Sequence, residues 1–240
     1  MGGSLENRAR FLLEVVARVR RAVGPSFPIG VKLNSADFQK GGFAFEDSVR
    51  VAGWLEAAGV DLLEISGGTY EQPAMMDMEG MEPVDQPPMA ASTAAREAYF
   101  VDFAKTMRQS ISTPLLVTGG FRTRAAMNQA LEQGGADLIG LGRPLCVDVN
   151  GPAKLLAGAD SLERWEAKLR LLPRSLSVLS RLKIIRALEG FAVTYWFYAQ
   201  IAALARTGAA APQMRPLEAF LSVTQSGARW LKARAAAPQP

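Results

Sequence analysis

The chain has 240 residues, 49% apolar and 21% charged, with a formal net charge of +4, which suits one large soluble domain with a sizeable core. The arginines are scattered along helical faces and form no basic block, so nucleic-acid binding is not expected. There is no histidine; this removes the commonest acid–base group, the commonest metal ligand and every Ser-His-Asp or Cys-His nucleophile, and with them most hydrolase chemistry and any expectation of a metal site.

The first residues, Met1 to Arg8, show neither the basic nor the apolar region of a signal peptide. Leu5, Ala9, Leu12, Val16, Val19 and Val23 recur at steps of three and four, predicting an amphipathic helix with Ser4 as N-cap and Gly24-Pro25 as its stop. Pro28 to Asn34 is expected to be a strand buried on both faces except at Lys32. Phe45 to Ala58 is a helix ending at Gly59, and Val60 to Ser66 a second buried strand. Gly67 to Thr93 is a long loop rich in Met, Pro and acidic residues (Met75, Met76, Met78, Met81, Met89); a loop of this size covers a site or marks an insertion.

Ala94 to Gln109 is expected to be helical, Pro114 to Thr118 the third strand, Arg124 to Gln133 helical and Asp137 to Leu141 the fourth strand. The Asp61-Leu-Leu-Glu-Ile-Ser66 and Asp137-Leu-Ile-Gly-Leu-Gly142 runs, each after a Gly-containing helix end, look like repeats of one βα unit. Cys146, the one cysteine, excludes an internal disulfide and suits a reducing, cytoplasmic setting; its apolar context suggests a structural thiol. Beyond Gly151 the pattern is helical: Pro152 to Gly158, Leu162 to Leu171, Ser175 to Arg206 and Leu217 to Arg234, with a frayed end from Ala235 to Pro240. Ile184 to Leu204 is apolar but interrupted by Arg186 and Glu189, so it is expected to pack and not to span a membrane. Tyr195-Trp196-Phe197-Tyr198 occupies all sides of its helix and points first to burial.

Four βα units imply a small open parallel sheet or half of a closed barrel, and element order alone does not choose. Two features carry chemistry. Gly119-Gly120 and Gly142-Arg143 each follow a short strand, offering bare backbone and a guanidinium to an anion; such turns make a phosphate site after the seventh and eighth strands of (β/α)8 barrels. Lys32 stands in an apolar strand, where a cation needs an opposing charge. Either it pairs with Glu64 on the next strand or it faces a ligand. Asp61 starts its strand at the far end and is expected to join helix to strand; Glu64 has no partner carboxylate, so paired-carboxylate catalysis is not expected.

Gly2-Gly3-Ser4-Leu5-Glu6-Asn7-Arg8-Ala9-Arg10-Phe11 resembles the segment after the fourth barrel strand in the old yellow enzyme (NADH:flavin oxidoreductase) family. Val31-Lys32-Leu33-Asn34, Glu64-Ile65-Ser66-Gly67-Gly68, Thr118-Gly119-Gly120-Phe121 and Gly142-Arg143-Pro144-Leu145 are similar to its fifth to eighth strand ends. The resemblance runs in order from Gly2 to about Gly158. It implies an α/β fold of the (β/α)8 TIM-barrel class, here the C-terminal four βα units (residues 1–158, a half barrel) followed by a helical C-terminal extension (159–240). It implies FMN as cofactor, NAD(P)H as reductant and an activated alkene or other small molecule as acceptor.

Carried onto this sequence, Gly119, Gly120, Gly142 and Arg143 would hold the FMN phosphate. Lys32 would stand beside the flavin N1 and O2 edge, in place of the arginine many members have, keeping the charge but losing the bidentate fork. The family's substrate-orienting His pair and catalytic Tyr have no match here, so no catalytic residue is assigned. The expectation is a piece carrying the phosphate half of a flavin site, or alternatively a non-catalytic half-barrel that associates with a complementary half or with itself. A phosphosugar isomerase or aldolase barrel shares the phosphate turns but lacks an acid–base pair in this chain.

Overall fold

The computed structural model describes residues 2–37, 41–67, 100–171 and 183–236, with side chains from 188 onward in the last stretch. They fall into two compact units, Met1–Leu141 and Gly142–Pro240. The expected loop after Gly67, the start of the helix expected at Ala94, the start of that expected at Ser175 and the last four residues lie outside the described residues.

In the first unit the order is α1 (Leu5–Val23), β1 (Gly30–Asn34), α2 (Phe45–Ala57), β2 (Leu62–Ser66), α3 (Val101–Met107), β3 (Leu115–Thr118), α4 (Arg124–Glu132) and β4 (Leu138–Gly140). Helix α1 begins where its cap predicts: Ser4 Oγ accepts the Asn7 N–H at 3.4 Å, and Gly24 at φ 86° ends it. The strands form one parallel sheet in the order β1-β2-β3-β4, in register from Lys32↔Glu64 to Thr118↔Gly140.

Because side chains alternate along a strand, the sheet has two different faces. Leu33, Leu63, Ile65, Leu115 and Val117 point one way and are buried. Against that face lie the helices, whose own buried residues are Val51, Ala52 and Leu55 on α2, Ala104 and Met107 on α3, and Met127 and Ala130 on α4. The opposite face carries Gly30, Lys32, Leu62, Glu64, Leu116, Thr118, Leu138 and Gly140, all exposed or half-buried. The expectation that β1 and β2 are buried on both faces is therefore corrected: among the described residues of this unit the helices cover one side, and β1 and β4 are its edge strands. Helix α1 also departs from its expected single stripe. Leu5, Ala9 and Val16 are buried, whereas Phe11, Val15, Val19 and Val23, four residues apart, are 39–58% exposed.

The repeat seen in the sequence has a physical form. Asp61 Oδ2 accepts the Ile29 N–H at 2.8 Å and Arg20 Nη2 at 2.6 Å, and Arg20 also donates to the carbonyls of Gly24, Phe27 and Gly59. In the same way Asp137 Oδ2 accepts the Leu115 N–H at 2.7 Å and pairs with Arg108, which donates to the carbonyls of Ser112 and Thr113. Each clasp joins a helix end, the entry to one strand and the foot of the next. Asp61 thus does link helix to strand, as its position predicts. Between the clasps Glu56 of α2 accepts from the Ser112 hydroxyl at 2.6 Å and from the Ser112 and Thr113 N–H groups at 2.7 and 2.9 Å.

The second unit holds a 3-10 turn (Arg143–Cys146), α5 (Gly151–Leu156), α6 (Trp165–Lys168), α7 (Lys183–Thr207) and α8 (Pro216–Ala236). The helix expected from Leu162 to Leu171 shrinks to four residues. Leu162 packs over Gly151 while Trp165 stacks on Trp196, with centroids 5.9 Å apart, so the segment serves two separate partners. Helices α7 and α8 pack on each other around fully buried Trp196, whose Nε1–H donates to the Met214 carbonyl at 2.8 Å. Of the aromatic run, Trp196 and Phe197 are buried and Tyr198 is 46% exposed. Among the described residues no helix is long and apolar enough to cross a membrane.

Trp196→Ala should cost about 3–5 kcal/mol, the usual range for removing a buried large aromatic, read as a lower urea midpoint of the second unit's helical signal. Acid should loosen the first unit. Donation from Ser112 to Glu56, and from the Ile29 N–H to Asp61, holds both carboxyls below their ordinary range. The folded state therefore binds protons less readily there than the unfolded chain. The stability they give is complete above the unfolded carboxylate pKa values of about 4 and drains away as pH falls below them. The melting temperature should be flat from neutral pH to about pH 5 and then fall, and Glu56→Gln should flatten that fall; an acid limb of unchanged slope in the variant refutes the assignment.

Candidate functional site

Lys32 and Glu64 stand in the middle of β1 and β2 and Thr118 at the carboxyl end of β3, on the face that the unit's described helices leave open. Lys32 on β1 and Glu64 on β2 are register partners, and Lys32 Nζ donates to Glu64 Oε1 at 2.6 Å. The same oxygen accepts the Thr118 hydroxyl of β3 at 2.8 Å. One carboxylate oxygen thus ties three adjacent strands together. The Lys32 side chain is 57% exposed and that of Glu64 28%. Of the two readings open for Lys32, the ion pair with Glu64 is the contact present, and its exposure leaves the ammonium within reach of a ligand on this face.

Gly140, opposite Thr118 on β4, completes the arrangement. A Cβ built there would collide with Thr118 Oγ1 and stand 2.8 Å from Leu116 Cδ2 and Thr118 Cβ. The hydroxyl that serves Glu64 fits because Gly140 has no side chain. Two residues beyond Lys32 on β1, Asn34 Nδ2 donates to Asp37 Oδ1 at 3.1 Å. Asn34 Oδ1 accepts from Ser66 at 3.1 Å, and the Asn34 carbonyl accepts from Ser48 at 2.7 Å. These bonds pin the end of β1 to that of β2 and to α2.

Gly119 and Gly120 follow β3 directly. Gly120 has φ 72°, in the left-handed region open to glycine, so the turn needs it. The next residues, Phe121 and Arg122, are 1% and 3% exposed, and Arg122 Nη1 donates to the Phe121 carbonyl at 2.7 Å. Thr123 then caps α4 by accepting the Ala126 N–H at 3.3 Å.

In the second unit, Gly142 faces open space where a side chain would stand, and Arg143 opens the 3-10 turn. This corrects the expected strand-to-helix turn: Pro144 and the Leu145 N–H to Gly142 carbonyl bond at 3.0 Å tighten the chain into four residues. A turn so short has no appreciable macrodipole, so any attraction for an anion there rests on the guanidinium and the bare Gly backbone. Arg143 is 38% exposed, with Nη1 4.0 Å from Glu166 Oε1. Cys146 is half-buried; burial pushes its thiol up from its ordinary value, away from the thiolate a nucleophile needs.

Three residues that matter here are inconspicuous in the sequence. Thr118 has the look of an ordinary β-branched strand residue, Gly140 of a turn former, and Arg122 of a surface charge at a helix start. For Thr118 and Gly140 the signal that could have found them is the register: once Glu64 is placed beside Leu116 of β3, alternation puts both on the same open face, one step further along. Among the described residues there is no cluster of three or more metal-ligating side chains.

Comparison with known proteins bears on the same segment. Residues 1–161 match the model of the NADH:flavin oxidoreductase / NADH oxidase family. The chain is 41% identical over 150 residues to the NADH-dependent flavin oxidoreductase iliE of Hypocrea jecorina, covering 61% of this chain and 35% of that protein. It is 34% identical over 208 residues to the NADH-dependent flavin oxidoreductase iccE of Talaromyces variabilis, covering 86% of this chain and 49% of that one. A solved 2-naphthoyl-CoA reductase in complex with 2-naphthoyl-CoA superposes with a TM-score of 0.54 at 31% identity, over 65% of this chain and 22% of that one. The chain therefore spans between about a third and a half of the length of these two curated relatives. The four-stranded parallel sheet with its helices is of the kind that forms part of an α/β barrel. With residues 1–161, more than half of the chain, matched by its model, the chain belongs to the NADH:flavin oxidoreductase / NADH oxidase family.

Proposed function

We propose that this chain supplies the phosphate-binding part of an FMN site in an NAD(P)H-dependent flavin oxidoreductase acting on a small acceptor such as an activated alkene. The observation that supports it most is the succession of two bare glycine turns after neighbouring strands, the second followed by a half-exposed arginine, within the stretch matched by the family. The donor set suits the group. Gly119, Gly120 and Gly142 let backbone approach a phosphate closely, Arg143 offers a charge-assisted fork, and Lys32 supplies a cation for the electron-rich edge of the flavin ring. FMN, when bound, takes up two electrons from NAD(P)H and passes them to the acceptor. The flavin part is residues 1–158, with 159–240 as a helical extension, and the setting is a reducing cytoplasm.

Arg143→Ala should weaken FMN binding by about ten- to a hundredfold, since a charge-assisted hydrogen bond is worth about 1.5–3 kcal/mol, and should leave the weaker binding of riboflavin, which has no phosphate, unchanged. Calorimetry showing equal FMN affinity for both forms would remove Arg143 from the site. Preference for a sugar phosphate over FMN would replace the reading altogether.

A second reading, association, is favoured by the face of the sheet that the first unit's described helices leave open and by the exposed row Phe11, Val15, Val19 and Val23 on α1. Strand edges and apolar rows of this kind are ordinarily covered, here by a complementary half-barrel or a second copy of the chain. By itself, even with FMN added, the chain should show no saturable NAD(P)H-dependent alkene reduction. It has no histidine to orient the acceptor, and a flavin lying on an open sheet face would be wet; positioning and proton donation together contribute several orders of magnitude in rate. Saturable enone reduction in a steady-state assay, abolished by Lys32→Ala, would show that the chain forms a working site unaided.

A further inference from the structure

Glu64 is an odd residue to find beside Lys32. The open face of the sheet at this level otherwise carries Leu116 and Leu138, with Leu62 one step before and Thr118 and Gly140 one step further along. A cation intended for a negatively charged ligand gains most if nothing nearby cancels it. Here a carboxylate oxygen lies 2.6 Å from the ammonium. Nor is Glu64 loosely placed: the Thr118 hydroxyl donates to the same oxygen at 2.8 Å, and Thr118 has room for that hydroxyl because Gly140 lacks a Cβ. Two further strands are thus committed to holding Glu64 against Lys32. A carboxylate needed only to satisfy a half-exposed lysine would not need this support, because water does the same at small cost.

We propose that Glu64 is a positioning residue that sets the effective charge Lys32 presents to the flavin ring, holding the ammonium against β2 and partly cancelling it. The inference rests on the FMN reading above and deepens it. A lone cation beside the flavin would favour the two-electron reduced, anionic ring over the oxidised, neutral one by the full Coulomb term. The Lys32–Glu64 pair is neutral overall and favours it by less. Thr118, immediately before Gly119, links this charge setting mechanically to the turn assigned to the phosphate.

The test uses the full chain, loaded with FMN and separately with riboflavin. Glu64→Gln keeps the shape and an acceptor oxygen but removes the negative charge. It should bind reduced flavin about tenfold more tightly relative to oxidised than the wild type does, which for a two-electron couple raises the midpoint potential by about 30 mV. The rise should occur with riboflavin as well as with FMN, since the phosphate is not involved, and Lys32→Met in the Glu64→Gln background should abolish it. Thr118→Val should leave Glu64 less firmly held and shift the potential in the same direction by less.

If Glu64→Gln does not fold, Lys32→Met serves instead. It leaves the Glu64 carboxylate unopposed at the ring and should lower the potential by more than tenfold in relative affinity. A potential unmoved in Glu64→Gln, or in Lys32→Met, while the wild type binds flavin and Arg143→Ala weakens FMN selectively, overturns this inference and leaves the FMN reading standing. Absence of flavin binding by the wild type overturns both.

Discussion

Two arginine–aspartate clasps at the foot of the sheet are the interaction on which the rest of the first unit depends. Parallel strands cannot be joined by a tight hairpin; each must be re-entered after a helix, and something has to fix the depth at which it re-enters. In this chain a carboxylate does so. Asp61 and Asp137 each accept the N–H at the entry of the preceding strand and an arginine from the helix that precedes it. Depth sets register, and register decides that Lys32, Glu64, Thr118 and Gly140 fall near one another on the same side. A slip of one residue would turn every polar group into the helices and every aliphatic one into the open.

With that register in place the two faces take different tasks. The face under the helices is a dry layer of Leu, Ile and Val, with Leu63, Ile65, Leu115 and Val117 fully buried. The other is a polar floor whose central event is one carboxylate oxygen shared between a lysine and a threonine. The small, mutually dependent set Lys32–Glu64–Thr118–Gly140 shows that its charge is arranged and not merely present.

Most of this order was legible beforehand wherever local chemistry decides it. Ser4 and Gly24 bracket α1, the Asp-Leu repeats mark the strand starts, and the glycine turns lie where strands end. What failed did so for reasons of context. Apolar runs predict burial on both faces, yet hydrophobicity alone cannot say that a sheet has helices on one side only. Periodicity puts Val19 and Val23 on the packed stripe of α1 although they remain 39% exposed. Gly142-Arg143 was expected to open a helix because it follows the fourth strand of a βα repeat, and the backbone closed instead into a 3-10 turn. The Glu64 contact was one of two alternatives, and choosing between them required the distance across two strands. The role of Gly140 was invisible, since a missing side chain reveals nothing until its neighbour is known.

The clasps also divide the sheet lengthwise. The bonds at the amino ends of the strands run through Arg20, Glu56 and Arg108 and their partners, whereas Lys32, Glu64 and Thr118, with Asn34 and Ser66, join the strands nearer their carboxyl ends. In barrels generally, a foot fastened in this way leaves the upper rim, where such folds place their active sites, free to vary in loop length and sequence without loss of the fold.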